Sequence, residues 1–274
     1  MSERTAIFLD FDGTYADGGV VPRGHVAAVR AARAAGHMVL LCTGRPKSML
    51  SDHVLEAGFD GIVGAAGGYV EVADEVLLDT RFPAELAAAV LRVMDRYDVA
   101  YMLEAPEAVY GPPGVDRRLR AVLAGHFVDA PGGGGPRDIL ANLEMSDDLS
   151  GARFGKVTFF DSPVPSAVLA EEIGEGVALI ASSIHGLGES AGEFYLPGVN
   201  KAGGMAAVAE RFGLERRQLI AFGDGLNDVE MLRYAGIGVA IEGSHPDVVA
   251  AADRIAAGPE REGLLEAFNA LGLT

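Results

Sequence analysis

Short apolar runs that stop abruptly at an acid, a hydroxyl or a glycine, with helical stretches between them, constrain this chain more than any other feature. Ala6-Ile7-Phe8-Leu9 ends at Asp10, Val39-Leu40-Leu41-Cys42 ends at Thr43, and Leu219 to Phe222 ends at Gly223-Asp224. Continuous apolar runs of this length read as parallel strands buried on both faces. An alanine-rich helix from Pro22 to Ala35, closed by Gly36, separates the first two, Pro46 marks a helix start, and Gly61 to Gly64 offers a third strand. This βαβα order predicts an α/β fold with a doubly wound parallel sheet, which binds ligands outside the carboxyl ends of its strands.

From about Phe82 the pattern changes. A helix over 83–97, strands at Val99–Glu104, Lys156–Phe160 and Val177–Ala181, and the glycine run at 131–136 read as a second α/β unit with a flexible loop. Alternation resumes after about Gly192, with helices at Lys201–Phe212, Asp228–Tyr234 and Pro246–Ala252 around strands at Leu219–Phe222 and Ile237–Ile241. The expected organisation is a core of residues 1–81 and 193–274 interrupted by an insert of 82–192.

Composition narrows the partners. With 22 Lys+Arg against 39 Asp+Glu the formal net charge is −17, which repels nucleic acid and anionic membrane surfaces and leaves a small molecule as the expected partner. The single cysteine, Cys42, excludes a disulfide framework, and the six histidines show no i, i+4 pairing of the kind zinc sites use. The apolar stretch near the N-terminus is too short for a signal peptide, and no apolar run reaches the ~18 residues of a membrane span. The expectation is a cytoplasmic protein.

Four short segments have the residue types of a reactive site. Asp10-Phe11-Asp12-Gly13-Thr14 sets two carboxylates two residues apart beside a glycine that lets the backbone approach a ligand. Thr43-Gly44-Arg45-Pro46 combines a hydroxyl, a free N–H and a helix start, the ingredients of an anion site. Lys201 opens a helix after a glycine-containing lead-in, and Gly223-Asp224-Gly225-Leu226-Asn227-Asp228 holds three oxygen-bearing side chains suited to a hard cation such as Mg²⁺. Each segment alone also reads blandly, as turn residues, an N-cap or a solvated lysine. Read together, with Asp10, Thr43, Lys201 and Asp224 each following a strand of one sheet, they predict convergence on one rim, where acids hold a metal and a hydroxyl and an ammonium hold a phosphoryl group.

These segments resemble, in order and spacing, motifs one to four of the haloacid dehalogenase superfamily of phosphatases, and the insert resembles the α/β cap of its Cof-like branch. The resemblance implies a Rossmann-like core, with Asp10 as nucleophile and Asp12 as the acid that protonates the leaving group and the base that then activates water. It further implies Mg²⁺ held by Asp10, the Asp12 carbonyl and Asp224 with Asp228 nearby, and phosphoryl oxygens held by Thr43, Gly44 and Lys201. Asn227 and Arg45 would assist with the phosphate or orient neighbours. Two places depart from that branch: Ala66-Gly67-Gly68 stands where an Asn-Gly pair is usual, and Gly243-Ser244 replaces an Asn-Ala pair. Tyr15, beside motif one, is expected to narrow the entrance. The implied activity is hydrolysis of small phosphomonoesters; the acidic surface, and the absence of tryptophan with only 7 Tyr and 12 Phe to stack on a nucleobase or flavin, point among these to sugar or polyol phosphates. A phosphomutase, a receiver-like signalling module and a non-catalytic phosphate-binding relic are the competing readings, and the first of these would use the same core residues.

Overall fold

A computed structural model describes residues 4–124, 140, 142–181 and 187–274. The glycine run at 131–136, together with His126 and His185, lies outside the described residues. In chain order the strands are β1 (Ala6–Leu9), β2 (Met38–Cys42), β3 (Gly61–Gly64), β4 (Tyr69–Val72), β5 (Glu75–Asp79), β6 (Ala100–Glu104), β7 (Val109–Gly111), β8 (Leu143–Met145), β9 (Lys156–Phe160), β10 (Ala178–Ala181), β11 (Gly192–Tyr195), β12 (Leu219–Gly223), β13 (Ile237–Ile241) and β14 (Arg254–Ala256). The helices are α1 (Arg23–Ala34), α2 (Asp52–Leu55), α3 (Ala84–Arg96), α4 (Val115–Ala124), α5 (Ser166–Ile173), α6 (Lys201–Phe212), α7 (Val229–Tyr234), α8 (Pro246–Ala251) and α9 (Gly263–Leu271).

The first sheet runs β14-β13-β12-β1-β2-β3-β4-β5. Its central strands are covered on both faces, which explains their unbroken apolar character. Ile7, Leu9, Val39, Leu41 and Phe222 pack under α1 and α9, while Phe8, Leu40, Cys42 and Ala221 pack under α6 and α7. β12, β1 and β2 are parallel neighbours, so Asp224, Asp10 and Thr43 leave the sheet side by side at one end. The second sheet, β10-β11-β9-β6-β7-β8, backs onto α3 and α5 through Tyr101, Leu103, Val157, Phe159 and Phe194.

The sequence-based expectation needs two corrections here. The first sheet is mixed, because β4 and β5 form an antiparallel hairpin at its edge. The strand before Lys201, β11, belongs to the second sheet, where it pairs antiparallel with β9 and β10. Lys201 therefore reaches the rim by another route. Asn200 caps α6 by accepting the Gly203 N–H at 2.9 Å, and the first turn of α6 presses on the turn after β3. Gly67 makes that approach possible, since its φ is +100° and a Cβ there would collide with the Asn200 carbonyl.

Candidate active site

The site forms where β12, β1 and β2 end. Asp10 donates its backbone N–H to the Phe222 carbonyl at 2.9 Å, which locks the first carboxylate to the neighbouring strand. Lys201, with no exposed surface, sends its ammonium between Asp10 and Asp228, reaching Asp228 Oδ1 at 2.5 Å. The other oxygen of Asp228 accepts the backbone N–H groups of Asp224 and Gly225 at 3.1 and 2.9 Å. Asp228 thus shapes the loop and aims the lysine, with both oxygens engaged. Asp224 is fixed by the Thr14 hydroxyl, which donates to Oδ1 at 2.8 Å. Gly13, at φ +91°, leaves the room that Asp224 fills.

Charge is out of balance in this pocket. Asp10, Asp224 and Asp228 bring carboxylate oxygens within 4.8 Å of one another, with one ammonium among them. Burial, reinforced by Asp228, pushes the Asp10 carboxyl well above the usual carboxylate range despite Lys201. Asp224 is also raised, chiefly by burial. Burial alone would lower the Lys201 ammonium, but Asp10 and Asp228 outweigh it and keep it charged. A cluster of oxygen donors short of positive charge fits a hard divalent cation, and Asp10 and Asp224 have the oxygens to hold one.

The remaining predicted residues lie along the mouth. Asp12 faces outward, where Arg45 grips it with two hydrogen bonds, Nε to Oδ2 at 3.0 Å and Nη2 to Oδ1 at 2.7 Å. The guanidinium also lies over the Phe11 ring, 4.7 Å from its centroid. Arg45 is therefore seen on the Asp12 carboxylate. Thr43 is buried and its Oγ1 accepts the Arg45 N–H at 3.1 Å. Asn227 is exposed, its amide nitrogen 4.0 Å from where a Cβ on Gly44 would lie.

At the first departure from the family pattern, Ala65 and Ala66 both adopt left-handed backbone, φ +48° and +55°. Their N–H groups donate to the carbonyls of Arg45 and Thr43 at 2.9 and 3.0 Å. Left-handed alanines cost roughly 1–2 kcal/mol each, so the turn is held in place by these bonds to the Thr43 loop. Tyr15 corrects another expectation. It is buried in the core against Phe59 and His25 and does not border the entrance. The site also recruits a residue that sequence reasoning missed: the ammonium of Lys156, from β9, donates to the Gly44 carbonyl at 3.1 Å. A lysine opening a strand with alternating polar residues reads as solvated, and nothing local signals this contact.

Comparison with known proteins places this architecture. Over 272 residues the chain is 27% identical to a Streptococcus pyogenes protein provisionally named a bifunctional phosphatase/peptidyl-prolyl cis-trans isomerase, a match covering 97% of this chain and 54% of that one. Over 128 residues it is 37% identical to the 5-amino-6-(5-phospho-D-ribitylamino)uracil phosphatase YbjI of Escherichia coli K12, covering 47% of this chain and 45% of that one. The chain thus spans about half the length of these curated relatives. A solved structure of a hypothetical protein from Geobacillus kaustophilus HTA426 superposes with a TM-score of 0.84 at 22% identity, over 99% of this chain and all of that one. The profile of the haloacid dehalogenase-like hydrolases matches residues 7–268, a span that takes in every residue of the carboxylate cluster and the inserted second sheet, and the chain belongs to that family.

Proposed function

We propose that the chain is a Mg²⁺-dependent phosphatase that hydrolyses small phosphomonoesters through an aspartyl-phosphate on Asp10. The observation that carries this reading is the buried Asp10 carboxylate, held by Lys201 beside Asp224 and Asp228, with the Asp12 carboxylate two residues on at the open mouth. Asp10 attacks phosphorus as the bond to the leaving oxygen breaks, and Asp12 gives that oxygen its proton. Asp12 then takes a proton from water, whose oxygen attacks phosphorus and releases inorganic phosphate from Asp10. Bound at Asp10 and Asp224, Mg²⁺ would offset the repulsion between carboxylate and phosphate. Lys201 and Thr43 hold the phosphoryl oxygens, and Asp228 keeps Lys201 aimed.

Residues 82–192, extended by β11, act in this reading as a cap over the rim, and the substrate is a sugar or polyol phosphate. The E. coli relative is named for a ribityl phosphate joined to a uracil ring, so only the phosphate-bearing end of that compound is a polyol phosphate, and the support for this substrate class is the chain's net charge of −17, which disfavours polyanions. The single, buried Cys42 fits a cytoplasmic setting.

The experiment is a screen of phosphorylated metabolites with Mg²⁺, run on the parent, Asp10→Asn and Asp12→Asn proteins. Asp10→Asn should lose on the order of a thousandfold in kcat. Asp12→Asn should accumulate phosphate on the peptide containing Asp10, visible by acid-quench mass spectrometry. Near-parental turnover by Asp10→Asn would overturn the assignment. A nucleotide, flavin or pyridoxal phosphate exceeding every sugar phosphate by more than about a hundredfold in kcat/KM would overturn the substrate class.

A further inference from the structure

Besides Lys201, one other lysine is buried, and the catalytic steps above make no use of it. Lys156 is 4% exposed at the start of β9. Its ammonium meets Glu104 Oε2 at 2.8 Å, Glu193 Oε1 at 3.4 Å and the Gly44 carbonyl at 3.1 Å. The two carboxylates neutralise the ammonium, and the Gly44 carbonyl takes one of its N–H groups. The acceptors are themselves fixed: Thr158 donates to Glu104 at 2.5 Å and Tyr195 donates to Glu193.

The Gly44 carbonyl belongs to the same peptide unit as the Arg45 N–H, and that N–H donates to Thr43 Oγ1. One peptide is therefore gripped on one side by an ammonium of the second sheet and on the other by motif two. Arg45, the residue that peptide orients, carries the Asp12 carboxylate in its two-pronged grip. We propose that Lys156 is a positioning residue for Asp12: by fixing the Gly44–Arg45 peptide it sets Arg45, which holds the Asp12 carboxylate at the mouth between turnovers and yields one of its oxygens when that oxygen carries the proton for the leaving group. This rests on the phosphatase reading above. Leaving-group protonation then depends on the second sheet being seated over the rim.

The test compares Lys156→Met and the double variant Lys156→Met/Glu104→Gln on two esters, glycerol phosphate and p-nitrophenyl phosphate. The double variant avoids leaving Glu104 buried and charged without its partner, and thermal melts verify folding. General acid catalysis contributes about 10²–10⁴-fold, and misalignment forfeits part of it, so kcat/KM on glycerol phosphate should fall by roughly tenfold or more. On p-nitrophenyl phosphate, whose leaving group needs little protonation, kcat/KM should change by less than about threefold. Equal falls on both esters, no fall on either, or a raised KM on glycerol phosphate with kcat intact would each overturn the proposal. A parent protein that turns over neither ester overturns the phosphatase reading, and this proposal with it.

Discussion

Lys201→Met removes the one ammonium from the carboxylate cluster, and the structure sets the size of the effect. Lys201 is fully buried between Asp10 and Asp228, with Asp224 close by. Removing one partner from a buried ion pair costs about 3–5 kcal/mol. The cluster has an escape, since Asp10 and Asp224 are already raised and one carboxyl can take a proton. Protonating an ordinary carboxyl at neutral pH costs about 1.4 kcal/mol per pH unit above its pKa, which caps the loss near ~4 kcal/mol. A loss of about 3 kcal/mol in a protein of this size lowers Tm by roughly 6–12 °C. Mg²⁺ should reverse much of it, because the ammonium no longer repels the ion from the cluster and the ion binds more tightly. Saturation at about a hundredfold over Kd contributes ~2.7 kcal/mol. The assay is thermal unfolding of parent and variant in EDTA and in saturating Mg²⁺, with turnover measured in parallel. Expected are a depressed Tm in EDTA, a larger Mg²⁺ increment than the parent's, and activity that stays at least a hundredfold down, because the metal does not replace the ammonium on the phosphoryl oxygens. Equal melting temperatures in EDTA, or a Mg²⁺ increment no larger than the parent's, would refute the charge argument.

Gly13→Ala should lose at least a hundredfold in kcat and most of the Mg²⁺-dependent rise in Tm, because the added Cβ enters the space of the Asp224 carboxylate at φ +91°; a parental Tm rise on Mg²⁺ would show that Asp224 is not part of the ion's site. His25 joins the motif-one loop to α9, its Nδ1 donating to the Tyr15 carbonyl at 2.9 Å and its Nε2 accepting the Leu264 N–H at 3.2 Å. Burial lowers its pKa, so the folded protein keeps it neutral while the unfolded chain takes up a proton below about pH 6.5. Its contribution to stability is complete above that pH and is lost as pH falls toward the lowered folded value. Urea midpoints at pH 7.5 and 5.5 should diverge more for the parent than for His25→Gln, and parallel behaviour would count against the assignment.

The parts of this architecture that were legible in the sequence are those that local pattern dictates. A strand buried on both faces must be apolar along its whole length, which is why β1, β2 and β12 and the acids and hydroxyl at their ends stood out. The β4–β5 hairpin was not legible because its turn is Ala73-Asp74, both at positive φ, without the Asn-Gly or Asp-Gly pair that announces such turns. Lys201 reaches the rim on α6 and not from a strand of the first sheet, and nothing in Gly192–Tyr195 tells which sheet will claim that strand. The grip of Arg45 on Asp12 and the seating of Lys156 on Gly44 are contacts between side chains and segments 33 and 112 residues apart. They exist only after packing, so no periodicity records them.

The pairing of β1 with β12, Ala6 beside Leu219 through Leu9 beside Phe222, also governs how the chain is made. On a ribosome, β1 emerges well before β12 and acquires β2 on one side, but its other edge has no partner until residue 222 has been synthesised. At ~5–20 residues per second that wait lasts roughly ten to forty seconds. An apolar strand with one open edge is a template for pairing with the wrong chain. Premature termination anywhere within the insert therefore leaves a nascent product with an exposed β1 edge and no Lys201, Asp224 or Asp228 to complete its rim.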